Sequence, residues 1–454
     1  MNLKTHLKIL LILLFLVTPT ILPVGVNSSS ILDNWTVIYY ICGDSNISDF
    51  VPPLTENLSR IGSTKDFNLI VFKDQPGIGD FRLYYVDEYG EFVELNDILG
   101  WPDEVDCGNN YTLYRLLVEM MRIYPARHYA LIPFASGGTG WQRFCLPDRH
   151  PPTKQMTLPV LASTLREVVN RTHHKLDVLF GSCTSGVIEL AYEVAPYVDY
   201  LVLTQDCLSR EHLVERFYQA TWDIRNNSNL TPEEFGKQAV SYLKPLAFYY
   251  LESYYNKTLS WWQKLLNKLP FSGLHTVLFY DSTAVINSSN IDELVESINY
   301  LAKYLINHLT MDMKKTLRMV RRETREYGRC FSKLYLLEPV YRNIYLDFMA
   351  YDCFIDIQDF VEHLRDKTRD ESLKELCSRV ISKLNKVIPY FKGVKCDSSH
   401  GLSIYFPQEK ILYNKNIFPY PLPESNKYEK LRLSQDTLWD EFLRCYLGVE
   451  GCWV

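Results

Sequence analysis

The chain has 454 residues, 47% of them hydrophobic and 22% charged, with a formal net charge of -6. That balance excludes disordered, collagenous and low-complexity chains, and the length supports one large domain with appendages or two domains. With 54 Asp and Glu against 48 Lys and Arg, a protein built to neutralise phosphates is excluded as well, so no nucleic-acid partner is expected.

At the amino terminus Lys4 and Lys8 precede an apolar run from Ile9 to Val17, followed by Pro19 and small residues. This is the pattern of a secretory signal peptide over residues 1–26, cleaved near Val26. The alternative is an uncleaved anchor, by which this chain would span a membrane, although Pro19 and Pro23 interrupt such a span. Asn-x-Ser/Thr acceptors at Asn27, Asn34, Asn46, Asn57, Asn110, Asn170, Asn226, Asn229, Asn256 and Asn287 fit a secreted, extracytoplasmic glycoprotein. Eleven cysteines contain no CxxC pair, so disulfides are expected rather than zinc. An odd count leaves one thiol over. We expect Cys183 to remain a thiol and the other ten cysteines to form five disulfides, with Cys445 and Cys452 closing a small loop.

Short, nearly continuous apolar runs at Trp35–Ile41, Phe67–Phe72, His128–Phe134, Leu176–Phe180 and Tyr200–Thr204 predict strands buried on both faces. Phe81–Leu95, turning at Gly90, predicts a hairpin. Helical periodicity over Tyr111–Ile123, Leu158–Arg171 and Gly186–Val194 supplies crossovers, so residues 27–273 read as an α/β domain on a mostly parallel sheet. Residues 274–454 are helix-rich: Ile291–Glu326, Phe354–Leu364 and Ser372–Leu384 are expected helices, and Gly401–Pro407 a last strand ended by proline. The basic run Lys314–Arg329 is either a solvated helix face or an anion site, and Glu323 and Glu326 interrupt it. Trp261, Trp262, Leu265, Leu266 and Leu269 form an amphipathic stretch suited to packing on its own domain or to a membrane surface.

In open α/β sheets chemistry gathers beyond the carboxyl ends of the strands. The run ending at Phe134 leads into Ser136-Gly137-Gly138-Thr139-Gly140-Trp141, whose glycines allow close backbone approach but which lacks the lysine of a phosphate loop. The run ending at Phe180 leads into Gly181-Ser182-Cys183, just ahead of an expected helix, where a helix terminus would favour a thiolate. A small buried cysteine at a tight turn is the other reading of Cys183.

Taken in order, several segments resemble the clostripain family of cysteine peptidases, in the clan of caspases, legumains and gingipains. They are Trp35 to Asn46, Tyr124 to Ile132 with Gly140-Trp141, Met156 to Ala162, Leu176 to Cys183 with Glu189-Leu190-Ala191-Tyr192-Glu193, Ser289 to Val295, Phe354 to Phe360, and Gly401 to Pro407. The resemblance implies a caspase-like sandwich completed by the helix-rich part, and a Cys-His dyad acting on peptide or protein substrates. Cys183 falls on the nucleophile position. Calcium is implied by the family alone, and no EF-hand spacing is present.

Two departures matter. The family's His position falls on Ser136 or Gly137, and neither can take a proton from a thiol near neutral pH. His128 lies eight residues upstream in the same strand and cannot substitute. The acidic residue that binds a substrate Arg or Lys is replaced by Gly181, which leaves Asp206 and the Gly138 turn as remaining substrate-side positions. Two functions therefore stand side by side. One is a non-catalytic clostripain-like domain that binds peptides or proteins; the other is an active endopeptidase of non-Arg or relaxed specificity, with its imidazole drawn from His150, His173, His174 or His400. Arg143, Arg149 and Lys154 follow Trp141, where the family's activating cleavage falls.

Overall fold

The computed structural model describes residues 32–45, 47–135, 140–144, 156–205, 210–243, 282–327, 353–393, 398–414 and 427–449. The apolar runs become strands because successive side chains find apolar cover on opposite sides. In β1 (Asp33–Cys42) Ile38, Tyr40 and Cys42 enter one hydrophobic cluster, and Trp35, Val37, Tyr39 and Ile41 enter another. The strands β2 (Phe67–Asp74), β5 (Ala126–Ala135), β6 (Leu176–Phe180) and β7 (Val198–Thr204) run parallel to it. Antiparallel strands flank this centre, the hairpin β3 (Arg82–Val86) and β4 (Phe92–Glu94) on one side and β8 (Ser282–Asn287) with β10 (Tyr390–Gly393) on the other. The result is a nine-stranded sheet in the order β10-β8-β7-β6-β5-β1-β2-β3-β4. Gly90 turns the hairpin at a φ of 83°, which glycine alone adopts without strain.

In chain order the helices of the described residues are α1 (Val51–Ile61), α2 (Asn96–Leu99), α3 (Asn110–Ile123), α4 (Leu158–Thr172), α5 (Ile188–Val194), α6 (Arg210–Asn226) and α7 (Pro232–Ser241). The carboxyl-terminal half adds α8 (Ile291–Asn307), α9 (Met311–Glu323), α10 (Ile357–Lys367), α11 (Glu371–Val387), α12 (Arg432–Asp436) and α13 (Trp439–Leu447). Leu54 and Leu58 of α1, Phe217 of α6 and Phe235 of α7 cover one face of the sheet. The other face packs on Leu116, Leu161, Ile188, Leu294 and Phe360 from α3, α4, α5, α8 and α10. The fold is α/β, helices on both faces of a mostly parallel central sheet. A two-stranded antiparallel sheet, β9 (Phe354–Asp356) and β11 (Ser403–Tyr405), is tied to this body where Val187 bridges Ser403.

All five expected buried strands form. Three expected helices are corrected. Ile291–Glu326 is two helices, because the Thr310 hydroxyl accepts from the Met313 amide and starts α9 afresh. Phe354–Asp356 is strand, and Asp356 caps α10 by accepting from the Asp359 amide. The helix after Cys183 begins at Ile188, since Val187 is extended and bridged to Ser403. The disulfide expectation is also corrected. Cys42, Cys107, Cys353 and Cys377 are thiols like Cys183, each buried in the apolar core as a small hydrophobe. Cys445 is disulfide-bonded, while Cys452, its expected partner, lies outside the described residues. No helix among the described residues is long and apolar enough to cross a membrane. The amino-terminal segment and the Trp261–Leu269 stretch lie outside them.

Candidate active site

β6 ends at Phe180, and its last carbonyls and amides are fixed by β7 beside it. The Gly181 amide continues the ladder by donating to Val202 O at 2.9 Å. From there the chain makes a turn, residues 181–187, that is fastened on every side. The Ser182 hydroxyl donates to Phe144 O at 3.1 Å, and Thr184 O accepts from the Gly140 amide at 3.2 Å. Ser185 Oγ accepts from the Thr204 amide at 3.2 Å. The Gly186 amide donates to Thr204 O at 2.6 Å, and Gly186 O accepts from the Ser403 amide at 2.8 Å. Thr184 sits at a φ of 54°, a left-handed conformation that costs a β-branched residue about 1–2 kcal/mol and is tolerated only where surroundings enforce it. Every residue of the turn is buried except Cys183, which is partly exposed.

Because α5 starts five residues beyond Cys183, its dipole does not act on the sulfur from the adjoining position, as the sequence suggested. The turn itself positions the thiol. Gly181 is a site of close approach: a Cβ there would lie 2.2 Å from Ser185 Oγ, 2.5 Å from Ser185 Cβ and 2.9 Å from Leu203 Cδ2. The Ser185 side chain thus fills the space in which a larger residue at 181 would begin. Ser136, Gly137, Gly138, His150 and Asp206 lie outside the described residues, as do Arg149 and Lys154. Arg143 is 1% exposed and so out of reach of a cleaving enzyme.

The imidazoles divide between the two edges of the sheet. His128 pairs in register with Trp35 near the start of β5, and its Nδ1 lies 2.7 Å from Asp177 Oδ1. His173 and His174 precede β6, with the His174 ring 5.7 Å from that of Tyr129. These three sit at the amino-terminal edge, and the seven residues of strand from His128 to Ala135 put about 23 Å between them and the Cys183 edge. His400 is on the Cys183 edge. Its Nδ1 lies 2.9 Å from Asp356 Oδ1 and its amide donates to Asp356 Oδ2. Burial lowers this imidazole, and the hydrogen bond and charge of Asp356 more than reverse that, leaving it above the usual histidine value.

Asp356 and Gln205 were not singled out in the sequence. Gln205 follows directly on β7, fully buried, and donates from Nε2 to Asp356 Oδ2 at 3.0 Å and to Ser403 Oγ at 2.7 Å. Its Oε1 accepts from the Ser282 and Tyr327 hydroxyls and from the Gly401 amide. A polar residue placed directly after an apolar strand was the signal available. Among the described residues no group of three or more His, Cys, Asp or Glu side chains is arranged to hold a metal.

The profile of the clostripain family matches residues 39–446. The chain belongs to the clostripain family. Among solved structures it is similar to an inactive zymogen C11 protease from Parabacteroides distasonis, at 18% identity and a TM-score of 0.50 over 89% of this chain and 97% of that one. It is similar also to iotapain, a secreted C11 cysteine protease from Bacteroides thetaiotaomicron, at 15% identity and a TM-score of 0.54 over 89% and 99%. A secreted C11 protease of the same organism, in complex with an irreversible peptide inhibitor, aligns at 15% identity and a TM-score of 0.55 over 90% and 99%. At these identities the likeness establishes the caspase-like clostripain fold. No curated protein matches the chain.

Proposed function

We propose that this chain is an exported clostripain-family domain that keeps the nucleophile position at Cys183, carries Ser136 or Gly137 where the family resemblance puts the catalytic His, and binds peptides or proteins without cleaving them. The observation that carries this reading is that three of the four described candidate imidazoles stand away from the thiol, while His400, on its edge, is engaged at Nδ1 by Asp356. His128, His173 and His174 stand at the far edge of the sheet, and the family's His position falls on Ser136 or Gly137. Neither Ser nor Gly takes a proton from a thiol near neutral pH, and loss of the dyad base slows attack on a peptide carbonyl by orders of magnitude. The peptide inhibitor held by a family member supports a peptide partner. Lys4, Lys8 and the apolar run behind them support export, as does the secreted relative.

The side of the turn facing β7 offers Gly181, Ser185 and Gln205, all uncharged, so a cationic side chain gains no ionic partner from them. Incubation of the mature protein with an unbiased peptide library, beside Cys183→Ala, tests the proposal. The expected result is retention of a subset of peptides without new termini. Cleavage that disappears in Cys183→Ala would overturn it.

The Asp356–His400 pair favours one second reading, an active endopeptidase of non-Arg or relaxed specificity. A carboxylate that orients an imidazole on the thiol's own edge is the arrangement such an enzyme needs. If cleavage is found, its loss in both Cys183→Ala and His400→Ala would assign that role to His400.

A further inference from the structure

Glu189 is fully buried on α5, six residues beyond Cys183. Its Oε1 accepts from the Tyr405 amide at 2.9 Å and from the Tyr428 hydroxyl at 2.8 Å. Its Oε2 has no hydrogen-bond partner among the described residues. Among the described residues no cation acts on it: the groups that do are the Tyr405 amide, the Tyr428 hydroxyl and its own helix amide. Around these, Cys353 acts on Tyr405 from before β9, and Asp440 of α13 acts on Tyr428. Trp141 closes the same space, its ring 5.7 Å from Tyr405 and 5.4 Å from Tyr428.

Among the described residues, two groups bond β11 to the cysteine turn and the helix that follows it. One is Gly186 O, which accepts from the Ser403 amide. The other is Glu189. We propose that Glu189 is a positioning residue for the Cys183 turn, fastening β11 and Tyr428 behind it while its carboxyl carries a proton and loosening them when the proton leaves. The reason is desolvation: a buried carboxylate here has the Tyr405 amide, the Tyr428 hydroxyl and its own amide as donors but no counter-charge among the described residues, so burial favours the neutral acid. Burial accordingly pushes this acid up to about 7, against the smaller lowering by its hydrogen bonds. The latch therefore changes state across neutral pH, and Cys183 feels the change through Gly186 and Val187.

This inference rests on Cys183 being the functional group, and its test uses readouts that need no peptide cleavage. Hydrogen exchange of the peptide spanning residues 401–407, and alkylation of Cys183 by iodoacetamide, are followed from pH 5.5 to 8.5 and corrected for intrinsic amide exchange and thiolate fraction. In the wild type both are expected to step up about tenfold around pH 7. In Glu189→Gln, which keeps an acceptor and cannot ionise, the step vanishes. Tyr428→Phe removes a bond to the carboxylate and moves the step to higher pH. Equal pH profiles for wild type and Glu189→Gln overturn the proposal. If the amide variant does not fold, an unmoved midpoint in Tyr428→Phe overturns it instead. Failure of the functional reading would show separately, as peptide retention that Cys183→Ala leaves intact together with labelling that follows Glu189.

Discussion

At Gly181 a single Cβ decides what substitution can achieve. An acidic residue there would carry that Cβ to 2.2 Å from Ser185 Oγ and 2.5 Å from Ser185 Cβ. A hydroxyl can rotate away, but a Cβ cannot. Gly181→Asp alone is therefore expected to lower stability by about 1–3 kcal/mol, the usual range for overpacking, and Ser185→Gly added to it should restore most of the loss. Thermal melts of the single and double variants check this; a single variant as stable as wild type would refute the packing argument. The same geometry sets the activity experiment. Wild type is expected to show no cleavage after Arg or Lys. Activity should appear only when Ser136→His with deletion of Gly137 is combined with Gly181→Asp and Ser185→Gly, since base and specificity act on different steps. Activity from the loop change alone would show that the acid is dispensable. The family resemblance implied that Gly181 stands where the family has an acid. It could not reveal that Ser185 occupies the room, because residues four apart around a tight turn meet only once the turn is folded.

At the scale of elements, the connection from β6 to α5 works because Gly186 lies flat against the end of β7. A Cβ on it would meet Gln205 N at 2.7 Å and Thr204 C at 2.8 Å. These are backbone atoms of the Thr204–Gln205 segment, which cannot rotate aside, so Gly186→Ala is expected to cost more than about 2 kcal/mol and to lower the melting temperature measurably. A neutral outcome would mean that β7 is not the fixed wall described above. Helix α7 provides a milder case. Thr231 and Glu234 cap it reciprocally, each side chain serving the other's backbone amide, so Thr231→Ala should cost about 1 kcal/mol in urea denaturation. The buried strands were legible because runs covered on both faces have a plain signature. The break between α8 and α9 was less so. A threonine cap inside a continuous periodic pattern reads as one more polar position unless the chain's change of direction is known. Phe354–Asp356 was misread because a three-residue strand is too short for periodicity to tell from a helix start.

The whole molecule should respond to pH in one direction. Glu189 is raised to about 7 by burial, and His400 is raised by Asp356 against the lowering effect of burial. Both groups bind a proton more tightly folded than unfolded, so the stability each contributes is full below its unfolded value and is lost as pH rises through its folded one. For Glu189 that window runs from about 4.5 to about 7, and for His400 it begins at 6.5. Glu233, Glu234, Glu293 and Asp370 are lowered by their partners and act oppositely, but they are largely or wholly exposed and screened by solvent. Calorimetry is therefore expected to give a higher melting temperature at pH 5 than at pH 8, with the difference reduced in Glu189→Gln. A melting temperature that rises over this range would contradict the assignment. The sequence by itself determined the α/β class, the strands and the place of Cys183 at a strand end, since these follow from local periodicity and turn chemistry. Only the tertiary structure decided which of the described histidines share an edge with Cys183, that Ser185 fills the space beside Gly181, and that Glu189 is buried with no counter-charge among the described residues. Those are facts about segments distant in the chain, brought together by the sheet order and by burial, and no local pattern encodes them.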